Sequence, residues 1–447
     1  MKQILIPLIL SISLCSCKKF LDEKPDKKLV IPATLADLQA LLDNTNFMVA
    51  ADPYAAELSA DNIYMLTNAW QSLTDYDRNM FTWQKENIYE PTTNDWSGLY
   101  RKVYYANTVL ETLEKIKQDT ANRQEWNNIR GQALMIRGKS FLNAVLIWAP
   151  AYDAATAATD MGIPLRVTTD MGETATRPSV EQTYVQALND LKESVPLLPP
   201  RGLHPIRACR AAAYGFLSRA YLSMRNYQMA GLYADSSLGL NGSLLNYNTV
   251  STTPAFPIPL FNTEVNYYTT FSAAAFTSTY ARIDSLLYAS YAANDCRKTL
   301  FFAANSDGSF AFRGSYIAGS GGMGGMASDE AYLTRAEAFA RSGNTAAALA
   351  DLNTLLQMRM KTGTFIPVTA TSAADALVKI LSERRKELLW RGIRWMDIKR
   401  LNKEGAGITL KRILNKTVSS MAPNAPGFSL PIPEYVINIS GMPQNPR

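Results

Sequence analysis

Apolar residues recur at the three- and four-residue spacing of a helix in several long segments, and these segments predict most of the secondary structure. The first begins at Thr34, a residue type that caps helices, and its apolar positions are Leu35, Leu38, Leu41 and Leu42. Longer segments with this spacing cover about 96–148, 180–240 and 328–401. Each has one apolar face that another helix must cover. The pattern therefore predicts an all-α fold made of helical hairpins.

Two of the hairpins resemble each other at an offset of 116 residues. The matching residues are Arg219, Ala220, Arg225, Ala230, Ala234 and Asp235 in one, and Arg335, Ala336, Arg341, Ala346, Ala350 and Asp351 in the other. Small alanines where helices cross, with a large residue in the return helix, are typical of tetratricopeptide repeats. The offset is too long for a simple tandem array, so we predict tetratricopeptide-like hairpins separated by insertions. Gly392 is expected to break or bend the last of these helical segments.

Two other stretches are rich in aromatic residues but show no sustained helical period. One covers about 53–91, and the other is the main insertion at about 242–327. We expect both to form long irregular loops on the helical scaffold. The glycine–methionine run from Gly319 to Met326 lacks the Gly-Lys-Ser/Thr ending of a phosphate-binding loop. It is therefore expected to be a flexible loop.

The N-terminus has the pattern of a secretion signal. Lys2 precedes an apolar run from Ile4 to Leu14, which is too short to span a bilayer. The run ends in Leu14-Cys15-Ser16-Cys17, which is similar to a bacterial lipobox. We predict a signal peptide at 1–16, acylation of Cys17, a tether at 17–30 and one folded domain at 31–447. The alternative is an ordinary signal peptide with incidental cysteines.

Composition narrows the classes of function. Hydrophobic residues make up 47% and charged residues 19%, as in an ordinary soluble globular protein. The formal charge of +6 is mild for 447 residues, so nucleic-acid binding is not indicated. His204 is the one histidine, which excludes a multi-histidine metal site. Cys209 and Cys296 remain in the mature chain, either as a disulfide or as buried thiols.

Aromatic side chains in the irregular stretches are the candidate binding residues. Sugars present apolar C–H faces that stack on flat rings, while Asp, Asn and Arg bind the hydroxyl groups. The candidates for ligand binding are Asp61, Tyr64, Trp70, Tyr76, Tyr267 and Tyr268. A role in the core or in contact with a partner remains the alternative for each ring. Trp96, Tyr100, Trp390 and Trp395 lie on helical faces and are expected to be core residues.

The charged segment from Glu383 to Arg400 has no arrangement that indicates catalysis. Its helical spacing places Glu383 near Glu387, and Arg394 near Asp397, where structural ion pairs are the ordinary outcome. No pair of carboxylates has a pattern that indicates glycoside hydrolysis. We expect a binding protein with no cofactor or metal.

Four segments, in order along the chain, resemble landmarks of the SusD/RagB family of outer-membrane lipoproteins from Bacteroidetes. They are CKKFLDEKP from Cys17, AYLTRAEAFARSGNTAAALADLN from Ala331 to Asn353, ERRKELLWRGIRWMDIKRL from Glu383 to Leu401, and the closing PIPEYVINISGMPQNP. The resemblance implies a tetratricopeptide-like scaffold with irregular loops, anchored by lipid and exposed at the cell surface. Family members act with a SusC-like TonB-dependent transporter and capture a glycan or, in RagB-like members, a peptide.

The resemblance leaves two alternatives to glycan capture open. One is a peptide-binding member of the same import system. The other is a tetratricopeptide-like envelope scaffold that binds only proteins, against which the aromatic loops argue. The variable loops of this chain are short for the family, so the family resemblance says little about which ligand is bound.

Overall fold

A computed structural model describes residues 32–446. The signal peptide, the lipobox with Cys17 and the whole predicted tether lie outside the described residues. The predicted cap of the first helix is confirmed, because the Thr34 side chain accepts a hydrogen bond from the backbone N–H of Asp37 and the Asp37 side chain bonds back to the Thr34 N–H. No helix within 32–446 is long and apolar enough to cross a membrane.

Helices dominate the described part of the chain. They are α1 (Leu35–Leu42), α2 (Ala55–Ser59), α3 (Thr67–Gln71), α4 (Asp75–Phe81), α5 (Asp95–Leu113), α6 (Arg123–Trp148), α7 (Val180–Ser194), α8 (Arg210–Ser223), α9 (Tyr227–Leu240), α10 (Ser285–Ala289), α11 (Arg297–Leu300), α12 (Ser328–Arg341), α13 (Thr345–Gln357), α14 (Ala373–Glu387), α15 (Arg394–Asn402) and α16 (Glu434–Ser440).

The strands are short and occur only as antiparallel pairs among residues 32–446. They are β1 (Ile63–Tyr64), β2 (Val265–Tyr267), β3 (Thr270–Phe271), β4 (Arg282–Ile283), β5 (Phe302–Ala304), β6 (Phe310–Phe312), β7 (Gly322–Met323), β8 (Met326–Ala327), β9 (Leu410–Leu414) and β10 (Thr417–Met421). The pairs are β1 with β4, β2 with β8, β3 with β7, β5 with β6, and β9 with β10.

The long helices pack as a row of neighbours. Helices α5 to α9 pack in chain order, and α12 then packs on α9 and is followed by α13 and α14. The stretch between α9 and α12 folds against this row without interrupting it. The prediction of an all-α, tetratricopeptide-like scaffold is confirmed.

The predicted offset between the two similar hairpins is wrong by two residues. The N-cap residues of the return helices α9 and α13 are Asn226 and Asn344, which lie 118 positions apart. The residue before each is left-handed, with φ of +62° at Arg225 and +84° at Gly343. The turn geometry therefore sets the register, and the shared alanines and arginines do not mark equivalent positions.

The glycine–methionine run is not a surface loop. Strands β7 and β8 lie within it, and every residue from Gly321 to Ala327 is buried. A Cβ on Gly325 would lie 1.9 Å from the carbonyl oxygen of Tyr267, and one on Gly322 would lie 2.1 Å from the ring of Phe271. The glycines are there because neighbouring groups approach the backbone too closely for a side chain.

The stretch at 53–91 also contains more regular structure than the sequence predicts. It holds α2, β1, α3 and α4, none longer than seven residues, and elements this short show no sustained period. The break expected at Gly392 is confirmed, since Gly392 has a φ of +67° between α14 and α15. Trp96, Trp390 and Trp395 are core residues as expected, whereas Tyr100 is only partly buried.

The predicted structural ion pairs are confirmed in part. Glu383 and Glu387 both accept hydrogen bonds from the buried Arg297, at 2.7 and 2.8 Å. Arg394 does not pair with Asp397 but with the more distant Asp61. Asp397 instead bonds two other buried guanidinium groups, those of Arg384 and Arg400. Cys209 and Cys296 are free, buried thiols.

Candidate functional site

The two aromatic stretches that the sequence singles out meet in the structure. Strand β1 from the first pairs with β4 from the second, so that Ile63 lies opposite Ile283 and Tyr64 opposite Arg282. The backbone N–H of Asp284 adds a hydrogen bond of 2.9 Å to the carbonyl oxygen of Asn62. We call the surface around this pair, formed by residues 61–83 and 280–312, the loop region.

Three of the candidate rings in the loop region are partly exposed. These are Tyr64 on β1, Trp70 on α3 and Tyr76 on α4. The Trp70 indole N–H donates a hydrogen bond of 3.2 Å to the carbonyl oxygen of Arg78, and its ring packs against the core. Because one edge of the indole is bonded and the ring is packed, Trp70 loses little side-chain freedom when a ligand binds.

Asp61 is held by two arginines rather than left open to a ligand. Its carboxylate accepts hydrogen bonds of 2.7 and 2.8 Å from Nε and Nη2 of Arg394, and Arg385 Nη2 lies 3.3 Å away. Burial by itself raises the pKa of Asp61, but the guanidinium groups of Arg394 and Arg385 outweigh it and hold this pKa well below the usual range. Asp61 therefore stays ionised and connects the loop region to α14 and α15.

Tyr267 and Tyr268 lie apart from the partly exposed rings. Tyr267 is on β2 and is 2% exposed, with its ring packed edge-on against Phe216 at 6.2 Å. Tyr268 is 7% exposed, and its ring packs edge-on against Phe261 at 4.8 Å. The prediction that these two rings stack on a ligand is corrected by their burial, because neither offers an open face.

The loop region contains other aromatic residues that sequence reasoning did not single out. Tyr288 on α10 and Phe310 on β6 are stacked with 3.6 Å between ring centroids and 15° between planes. Both are partly exposed, and Lys298 Nζ lies 5.1 Å from the centre of the Tyr288 ring. Phe310 and Phe312 alternate with Ala311 after the Asp307-Gly308 turn, a strand signal that places both rings on the same face of β6.

Arg282 lies on β4, opposite Tyr64 of β1. It bonds the carbonyl oxygen of Ser278 at 2.6 Å and the carboxylate of Asp307 at 3.2 Å. These bonds fix β4 to the turn between β5 and β6. The loop region thus combines several partly exposed rings with anchored charged groups, an arrangement suited to stacking on a sugar. Within residues 32–446 there is no group of three or more His, Cys, Asp or Glu side chains placed to hold a metal ion.

Comparison with protein families gives two matches. A family model described as "starch-binding associating with outer membrane" matches residues 19–222. A second, described as "SusD family", matches residues 329–436. Together they cover both ends of the helical row and leave the stretch that contains β2 to β8 unmatched. A comparison with curated protein sequences gives no match.

Solved structures with the same fold cover nearly the whole chain. A SusD superfamily protein from Bacteroides thetaiotaomicron is 19% identical, with a TM-score of 0.76 over 93% of this chain and 100% of its own. A SusD superfamily protein from Bacteroides vulgatus is 19% identical, with a TM-score of 0.74 over 93% and 99%. A SusD-like carbohydrate binding protein from Bacteroides vulgatus is 20% identical, with a TM-score of 0.66 over 92% and 97%. At these identities the likeness concerns the fold.

Proposed function

Because the chain belongs to the SusD family, we propose that it is a carbohydrate-binding lipoprotein of the outer membrane that captures an oligosaccharide at its loop region. We further propose that it delivers this ligand to a SusC-like TonB-dependent transporter. The protein binds and does not catalyse. Its anchor is acylated Cys17, and its folded domain is exposed at the cell surface.

One observation carries the choice of site, namely the pairing of β1 with β4. This pairing brings together two loop stretches that are more than 200 residues apart and fixes partly exposed rings on the scaffold. A ring that is already immobile offers its flat face to a sugar at a small entropic cost. Tyr64, Trp70 and Tyr76 therefore remain the ligand-binding residues that we propose, and Tyr288 and Phe310 join them.

A sugar ligand is supported by the starch-binding description of the first family and by the carbohydrate binding protein among the structural relatives. The tether supports delivery in a physical sense, because an anchored domain stays close to any transporter in the same membrane, at a high effective concentration. A peptide ligand, as in RagB-like proteins, is the main alternative.

Binding of the chain from Lys18 onward to panels of polysaccharides and peptides tests this proposal. Affinity electrophoresis and calorimetry are applied to the parent chain and to Trp70→Ala and Tyr76→Ala. Removing a central aromatic ring from a binding site typically weakens the affinity about tenfold or more. We expect one or more polysaccharides to bind and Trp70→Ala to weaken that binding about tenfold.

Tyr435→Ala is the matched control, because Tyr435 is 50% exposed on α16 and lies outside the loop region. Thermal unfolding of each variant establishes that the fold is intact. If the chain binds peptides but no polysaccharide, its ligand is a peptide and not a glycan. Glycan binding that neither variant weakens would move the site away from Trp70 and Tyr76.

A further inference from the structure

A second concave feature lies on another part of the molecule, between helix α5, residues 164–175 and the C-terminal helix α16. It is a cleft of about 680 Å³, which falls within the roughly 300–1,000 Å³ typical of small-molecule sites. None of the loop-region residues lines it. Its walls carry apolar side chains from all three segments, including Val103, Met171 and Ile439.

The polar groups deep in this cleft are already bonded to the protein. The Asn107 amide donates to the carbonyl oxygens of Arg166 and Thr168 at 2.9 and 3.0 Å, and its oxygen accepts from Arg137. The Tyr100 hydroxyl donates to the carbonyl oxygen of Pro164 at 2.7 Å. A sugar needs free donors and acceptors for its hydroxyl groups, and leaving them unpaired is costly. The interior of the cleft therefore suits an apolar group better than a sugar.

The apolar rim of the cleft is open to solvent. Tyr104 is 42% exposed, Ile439 is 69% exposed and Met171 is 80% exposed. Helix α16 contributes one wall although none of its residues is buried. Exposed apolar side chains around a concave site of this size are typical of a binding site rather than of ordinary surface.

Arg101 supplies a charge in this cleft. Its guanidinium group lies 5.0 Å from the centre of the Phe47 ring, which holds it in place. Among residues 32–446 it has no ion-pair partner within 4.0 Å. Arg166 also lines the cleft and bonds the carbonyl oxygen of Glu173, while the Glu173 carboxylate accepts a hydrogen bond from Thr168. Two guanidinium groups and one carboxylate leave the lining with a net positive charge.

We propose that this cleft binds a small monocarboxylate with an apolar chain or ring. The apolar body lies between α5 and α16, and the carboxylate pairs with Arg101. This geometry gives each half of an amphipathic anion a matching environment, because buried apolar area stabilises the body and a charge-assisted hydrogen bond stabilises the head. The site is separate from the loop region and does not depend on what the loop region binds.

The test uses the chain from Lys18 onward with 8-anilinonaphthalene-1-sulfonate as a fluorescent amphipathic anion, decanoate as the competitor and decanol as its uncharged counterpart. We expect one saturable site from which decanoate displaces the reporter. Arg101→Gln should weaken decanoate binding about tenfold, since a hydrogen bond to a charged group is lost. The same variant should leave decanol binding unchanged.

Ile439→Glu places a negative charge on the wall of the cleft and should weaken both anions about tenfold or more. Its matched control is Tyr435→Glu on the same helix, because Tyr435 is exposed and does not line the cleft. Both positions are solvent-exposed, so both variants should fold. Decanoate binding that Ile439→Glu leaves intact would overturn the assignment of the cleft.

Equal binding of decanoate and decanol, with no effect of Arg101→Gln, would overturn the role of the carboxylate. Trp70→Ala should leave decanoate binding unchanged, and Arg101→Gln should leave polysaccharide binding unchanged. Failure of the cleft proposal is therefore distinguishable from failure of the glycan proposal.

Discussion

Asp61 connects the loop region to helices that follow it by more than 300 residues. Its two hydrogen bonds to Arg394 and its contact with Arg385 cross from the start of β1 to α14 and α15. A guanidinium group that grips both oxygens of a carboxylate fixes its direction as well as its distance. Asp61 therefore positions the neighbouring rings through the backbone at the start of β1. This role does not require contact between Asp61 and a ligand.

Asp61→Asn should lower the free energy of unfolding at pH 7 by about 1–3 kcal/mol. The folded-state pKa of Asp61 lies below its unfolded value of about 3.9, so the stabilisation is fully present above that pH and is lost as the pH falls through the folded pKa. Urea unfolding of parent and variant should therefore show a smaller difference at pH 3 than at pH 7.

Glu86→Gln is the control, because Glu86 is exposed and has no hydrogen bond or ion pair to any residue within 32–446. It should change stability by no more than a few tenths of a kcal/mol. If Asp61→Asn lowers the free energy of unfolding equally at both pH values, the ion pairs are not the cause of the loss.

Residue identity predicts which side chains are suited to stacking but not which are accessible. Trp70 and Tyr267 both stand in aromatic stretches without a helical period, and the sequence treats them alike. Their environments differ because Tyr267 lies on β2, which pairs with β8 about 60 residues later, whereas α3 has no buried residue. Pairing between distant segments decides burial here, and local sequence carries no signal of it.

At the scale of elements, glycine marks the close approaches that local periodicity does not reveal. Strand β8 is only two residues long, and its approach to β2 places the carbonyl oxygen of Tyr267 against Gly325. Arg219 Nη2 also donates a hydrogen bond of 2.8 Å to the Gly325 carbonyl oxygen. Replacing this glycine would therefore disturb the packing of the insertion against helix α8.

Gly325→Ala should destabilise the protein by at least about 2 kcal/mol, because the added methyl group would lie 1.9 Å from a backbone oxygen and the strands must separate to admit it. Gly239→Ala provides the opposite expectation. Gly239 is exposed within α9 and has nothing within 4 Å of an added Cβ, so alanine should stabilise the helix by about 0.5–1 kcal/mol. Thermal unfolding of both variants measures the difference. Similar effects at the two positions would rule out the close contact as the cause.

The helices that sequence periodicity predicts well are those with caps and turns in the local sequence. Thr34 with Asp37, and the asparagines at the starts of α9 and α13, all act within three residues of the chain. Small residues recur in many helices, so the offset between shared alanines differs by two residues from the offset between the helix caps. Comparing the turns, where Arg225 and Gly343 are left-handed, gives the structural register.

At the scale of the whole molecule, buried ion pairs connect segments that the sequence shows as separate. Arg297, the first residue of α11, bonds Glu383 and Glu387 on α14, and Arg359 bonds Glu264 at 2.8 Å. Breaking a buried pair leaves an uncompensated charge, so these contacts resist any rearrangement of the insertion on the scaffold. The ordered row of helices follows from periodicity, but this cross-linking depends on partners that are 86 or more residues apart. That is why the sequence predicts the fold better than the site.

The lipid anchor that we propose lies at Cys17, outside the described part of the chain. If the proposed anchor is correct, Cys17→Ala should abolish acylation and release the protein from the outer membrane, because the buried methylene groups of the acyl chains supply the anchoring free energy. Metabolic labelling with a palmitate analogue, followed by membrane fractionation, measures both effects. Cys15→Ala is the matched control and should keep its label, since the lipobox resemblance assigns the acyl chains to Cys17 alone. Label that persists in Cys17→Ala would contradict the lipobox. Surface exposure is tested by adding protease to intact cells. A labelled chain that resists digestion would contradict it.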